Sequence, residues 1–107
     1  MMRAVGFILR PASGQDIRQL EHEMEQAAAQ LGFTWMATFF ADFESEGNYV
    51  RMVNRILREG VDALFLPGVG HLSSQDIEVL ATHCDVYLVA EIAERRTNER
   101  PLDESPR

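Results

Sequence analysis

The stretch from Val61 to Gln75, VDALFLPGVGHLSSQ, limits what this chain can fold into more than any other. Val61 to Leu66 reads as a buried strand that breaks at Pro67. A glycine-bracketed loop, Gly68-Val69-Gly70-His71, follows, and a helix re-enters at Ser73 or Ser74. A strand–loop–helix passage of this kind belongs to an open α/β sheet, whose crevice lies at the carboxyl ends of parallel strands. The chemistry of such a fold should sit in this loop. From Pro67 to Leu72 it holds no Cys, Lys, Arg or carboxylate, and one His, His71.

The rest of the chain repeats the alternation. Arg3 to Leu9 (RAVGFIL) is a short apolar run, read as a first strand that Pro11 stops. Ser13 is the expected N-cap of the next helix, with Asp16 completing a capping-box pattern. That helix runs to about Leu31: Ile17, Leu20, Met24, Ala27, Ala28 and Leu31 share one arc at roughly 100° per residue. Gly32 follows as its C′ residue, and His22 lies on the solvent side. Phe33 to Ala41 (FTWMATFFA) reads as a second strand, with Thr34 and Thr38 on one face. The loop beyond it carries Asp42, Glu44 and Glu46, read as solvated acids in preference to cation ligands.

Asn48 is the expected N-cap of a helix that ends at Glu59 and is closed by Gly60. Its apolar Val50, Val53, Ile56 and Leu57 should face the core. Arg51, Arg55 and Arg58 recur at i, i+4 and i+7 and form a stripe on the far side, suited to a solvated face or an acidic partner. After the central loop, a short helix from about Ser74 to Thr82 should turn Ile77 and Leu80 inward. Asp85 to Ala90 (DVYLVA) reads as a fourth strand. His83, Cys84 and Asp85 are too close in sequence to point at one atom, which favours structural roles and no metal. From about Ala93 the chain turns charged and non-periodic with two prolines, and residues 93–107 read as a disordered tail. The order β-α-β-α-β-α-β predicts one α/β domain over residues 1–92. Its architecture should be three layers, a mostly parallel four-stranded sheet with helices on both faces.

Composition narrows the function. The 107 residues suit one hydrophobic core. No apolar run approaches the roughly 18 residues that span a bilayer, and no signal-like layout opens the chain, so a cytoplasmic location is the default. The lone Cys84 excludes an internal disulfide and a cysteine-rich zinc site. Net charge is −7, from 17 carboxylates against 10 basic residues, all of them Arg. Without Lys there is no Schiff base and no phosphate-loop lysine. An acidic domain repels the phosphate backbone, so nucleic-acid binding by this chain alone is not expected.

In this order of elements the chain resembles the N-terminal catalytic domain of serine recombinases, the resolvase/invertase family, over about residues 3 to 91. The family's opening Gly-Tyr-x-Arg-Val-Ser, whose Ser attacks DNA, is paralleled by Gly6-Phe7-Ile8-Leu9-Arg10-Pro11. The stretch IRQLEHEMEQAAAQLGF is similar to the family's first helix, and Asp42 falls where the family has an Asp after its second strand. The loop from Pro67 to Gln75 stands where the family carries an Asp-Arg and a later Arg. The resemblance implies a resolvase-like fold. The departures imply a vacant site: Leu9 replaces an arginine, Pro11 the nucleophile, Gly70 and His71 the Asp-Arg pair, and Ser74 the later arginine. Phosphoryl transfer needs a nucleophile and cations around the phosphoryl oxygens, and this set lacks them. The family's long helix after the last strand has no counterpart beyond Glu91.

The expected function is therefore a catalytically inactive recombinase-like domain, not an enzyme. It would need no cofactor and would act as a protein-binding or regulatory module that self-associates as a homodimer. Binding candidates are Arg10, Ser13, Asp42, Arg51, Arg55, Arg58, His71 and Tyr87. The apolar surface for self-association is expected on Val86, Tyr87, Leu88 and Val89, which no following helix covers. One alternative is an enzyme that handles a small ligand or phosphoryl group at the carboxyl ends of the strands, with an anion at the Ser13-Gly14 helix start and His71 as acid/base. Another is a DNA-associated recombinase remnant.

Overall fold

A computed structural model describes residues 2–10, 16–42, 46–68 and 70–91; for residues 46–48 it describes the backbone alone. The elements are β1 (Arg3–Leu9), α1 (Ile17–Gln30), β2 (Thr34–Ala41), α2 (Glu46–Glu59), β3 (Ala63–Leu66), α3 (Ser74–Ala81) and β4 (Asp85–Leu88). All strand pairs are parallel, in the order β2-β1-β3-β4. The α/β expectation holds, and the sheet is wholly parallel.

Alternation along the central strands builds two apolar layers. Ala4, Ile8, Ala63 and Phe65 point to one face and pack under Leu20, Met24, Ala27 and Ala28 of α1. Val5, Phe7, Leu9, Leu64 and Leu66 point to the other, under Met52 and Ile56 of α2 and Leu80 of α3. This division follows from the strand order. The chain steps from β1 to β2 in one direction, then returns past β1 to β3 and on to β4. If every crossover has the same hand, reversing direction moves the helix to the opposite face. The reversal also makes a switch point at the carboxyl ends of β1 and β3, between oppositely directed connections.

One glycine in this core is fixed by a close approach. A Cβ on Gly6 would stand 2.7 Å from Cη2 and 2.8 Å from Cζ2 of Trp35, with Met24 Cε at 2.9 Å. The indole lies where a side chain at position 6 would stand. Trp35 faces that side as the partner of Ala4, just before a bulge in β2: Val5 pairs with Ala37, leaving Met36 as the extra residue.

Several local expectations are corrected. Thr34 and Thr38 do not share a face, because the bulge between them shifts the alternation: Thr34 pairs with Arg3 and Thr38 with Gly6. The N-cap of α1 is Asp16, whose Oδ1 accepts from the Arg18 backbone N–H at 3.0 Å. Ser13 lies outside the described residues. Asn48 does not cap α2, since that helix starts at Glu46. Of the apolar positions assigned inward on α2, Val50 and Leu57 are exposed, and Met52 and Ile56 carry the packing. The β4 ladder ends at Leu88, and Val89 to Glu91 turn helical. The expected tail, 93–107, lies outside the described residues.

The apolar row on β4 is also less open than expected. Tyr87 stacks on Phe65, with ring centroids 4.9 Å apart and planes at 18°, and meets Phe33 edge-on at 5.9 Å. Val86 and Leu88 pack against the α2/α3 layer, and Tyr87 and Val89 against the α1 layer. The row is half-buried, because the two core layers reach the edge strand.

Candidate functional site

Two places could carry function. The first is the switch point, where β1 delivers Leu9 and Arg10 and β3 delivers the loop from Pro67. That loop turns at Gly70, whose φ of +96° is in the left-handed region that favours glycine. The turn sends His71 inward, where it is 3% exposed, and its Nδ1 accepts the Leu9 backbone N–H at 2.9 Å. An imidazole that accepts at Nδ1 carries its proton on Nε2 when neutral. Burial lowers the His71 pKa. His71 thus ties the β3 loop to the end of β1 as a buried neutral ring.

The other described switch-point residues have structural roles. Leu9 is buried. Ser73 caps α3 by accepting from the Asp76 N–H at 3.1 Å, which leaves Ser74 as an exposed first helical residue. Arg10 reaches toward β2: its Nη1 donates to Asp42 Oδ1 at 2.6 Å, and its guanidinium lies 5.1 Å from the Phe40 ring centroid. Pro11 and Ser13 lie outside the described residues. Asp42, 70% exposed in this pair, meets Arg10 because the ends of β1 and β2 are neighbours in the sheet.

The second place is open. A groove of about 460 Å³ runs between α2 and β2, lined by Phe7, Phe39, Phe40 and Ala41 on the sheet side. Arg51, Met52, Asn54, Arg55 and Arg58 line it on the helix side. The helical spacing 51, 55, 58 brings the three arginines to this one wall. Arg55 is held in place: its Nε donates to Glu59 Oε2 at 2.9 Å, and its guanidinium lies 5.3 Å from the Phe39 centroid. Among the described residues no acid pairs with Arg51 or Arg58. Of the binding candidates, Arg51, Arg55 and Arg58 are brought together here. Arg10 is tied to the groove's rim through Phe40, and Tyr87 is remote, on the other edge strand.

Sequence reasoning found the arginine stripe and missed its wall of aromatics. Adjacent strand residues point to opposite faces, so Phe39-Phe40 on a strand next to a basic helix was the available signal. Cys84, half-buried below the β4 entry, has its thiol pushed up to about 11, chiefly by burial and then by Asp85 and Asp62, so it is no thiolate near neutrality. Among the described residues no cluster of His, Cys, Asp and Glu is arranged to hold a metal, and no helix is long and apolar enough to cross a membrane. Compared with family models and with curated proteins, the chain matches none.

Proposed function

We propose that this domain is a catalytically inactive, serine-recombinase-like α/β module that works by binding protein. The observation that carries the reading is that His71, the one ionisable side chain between Pro67 and Leu72, is buried and hydrogen-bonded to the end of β1. A phosphoryl-transfer centre at that place would need an accessible nucleophile and converging cations. Instead Arg10 is paired with Asp42, and Arg51, Arg55 and Arg58 line a separate groove.

In this reading the vacated centre is structural and the groove meets the partner. The proposed recombinase relationship rests on the order of elements and on the residues quoted from Gly6 to Pro11 and from Pro67 to Gln75. The test is direct. Incubated with supercoiled DNA, the protein is expected to give neither cleavage nor a covalent complex on a denaturing gel. A covalent protein–DNA adduct would overturn the reading.

A further inference from the structure

We infer that the groove between α2 and β2 receives an extended acidic segment of a partner protein, added as a fifth strand along the free edge of β2. The inference rests on the reading of the domain as a binding module and specifies how it binds.

Consecutive residues of a strand point to opposite faces. A groove lined only by one face of β2 would touch alternate residues, yet this one is lined by Phe39, Phe40 and Ala41 in succession. It therefore reaches the strand's outer edge. Among the described residues β2 pairs with β1 alone, and it stands first in the sheet order. An edge of this kind offers unpaired N–H and C=O groups to any extended chain. The Met36 bulge disturbs the edge near its start, but from Ala37 to Ala41 the register with Val5 to Leu9 is unbroken. This regular half is the part beside the arginines. Phe40, 40% exposed, supplies apolar contact on its far side.

Charge selects the occupant. Of the charged side chains on or touching this rim, Arg10 is paired with Asp42 and Arg55 with Glu59, while Arg51 and Arg58 remain unmatched among the described residues. Two turns of helix separate those two, about 10 Å at 1.5 Å per residue. An added strand places same-face side chains roughly 7 Å apart, so acids at alternate positions would meet this row. Guanidinium groups bind carboxylates through paired N–H donors, which favours Asp or Glu in the segment. In a domain of net charge −7 this wall is a local reversal of sign.

The experiment measures binding of labelled peptides to the full chain by fluorescence anisotropy. The first probe alternates Glu and Val (TEVEVEVT), the second replaces Glu by Gln, and the third spaces the same three Glu with Pro pairs (TEPPEPPE). The third keeps the charge but has Pro on whichever edge it turns to β2, so it cannot form a ladder. Expected is saturable binding of the first, weakened about tenfold or more by Gln, by Pro, or by the double change Arg51→Glu and Arg58→Glu. Circular dichroism of the double variant should match the parent, since both side chains are on the surface. Equal binding of the Pro peptide would overturn strand addition while leaving a binding module in place. Binding of inorganic tripolyphosphate with none of the peptides would overturn the acidic segment in favour of a small anion. No binding of any probe would overturn the inference without touching the separate DNA test of the catalytic reading.

Discussion

Gly6 lies at the middle of β1 and His71 holds its end, and each can be tested alone. In Gly6→Ala the new methyl meets two ring carbons of Trp35 inside 3 Å, and an indole packed between strand and helix cannot yield as Met24 Cε can. Overpacking of this kind costs about 1–3 kcal/mol, so the urea midpoint should fall with an unchanged slope. A midpoint equal to wild type would show that Trp35 repacks freely. His71 gives a pH signature. Burial lowers its folded-state pKa below the ordinary 6.5, so folding favours the neutral ring. Above the unfolded value both states are neutral and stability is complete. As pH falls from about 6.5 through the folded pKa the unfolded chain takes up the proton first, and stability drops. Protonation at Nδ1 would also remove the acceptor of the Leu9 N–H. In His71→Phe that N–H is left buried without its partner, at about 1–3 kcal/mol, and the variant should lose that component of the pH dependence. Denaturant titrations at several pH values check both outcomes. A wild-type curve that stays flat below pH 6 would contradict the buried neutral ring.

At the scale of elements, the sequence was legible where a pattern is local and illegible where a partner strand decides. Every strand and helix was placed within a few residues, because apolar periods of two and of 3.6 residues are set by the element itself. The start of α1 was misplaced because Ser13 and Asp16 both suit a cap, and spacing alone favoured the earlier one. The structure gives the cap to Asp16. Asp16→Ala should therefore cost about 0.5–2 kcal/mol, read as a shift in melting temperature; a negligible shift would return the capping role to an upstream residue. The Met36 bulge had no signal in the strand that carries it, since a bulge exists only relative to its neighbour β1. It moved Thr38 and Phe40 to the face opposite the one plain alternation gives, and left Phe39 and Ala41 beneath α2. The groove depends on that shift. The arginine stripe was legible from helical spacing, and adjacent Phe39 and Phe40 signalled one ring on the helix side, but only tertiary pairing shows that it is Phe39, under Arg55.

For the whole molecule, the two-sided packing decides what self-association would look like. The exposed acids of α1, Glu23 and Glu25, ride on one layer, and the arginines of α2 ride on the other. A two-fold dimer must satisfy both contacts on one surface of each copy, which patches on opposite layers do not allow. Pairing by charge would instead run head to tail, without closing. The homodimer proposed here thus needs a sheet edge, where a two-fold axis sets a strand against itself. β2 is assigned to an acidic partner, which leaves β4 and the remaining open area of Tyr87 and its neighbours. Exposed ion pairs contribute only about 0–1 kcal/mol each, so such a dimer would be held by apolar contact and strand pairing. Sedimentation at about 0.1 M and about 1 M salt separates the cases, because the Debye length shortens from roughly 10 to 3 Å between them. A β4-edge dimer should persist at both, and Arg55→Ala should leave it unchanged. Tyr87→Ala should weaken it and also lower thermal stability, since the ring stacks on buried Phe65. Species that grow with concentration at low salt and vanish at high salt would mean charged layers stacking in place of a closed dimer. A monomer under both conditions would remove self-association from the reading and leave the β2 groove as the binding surface.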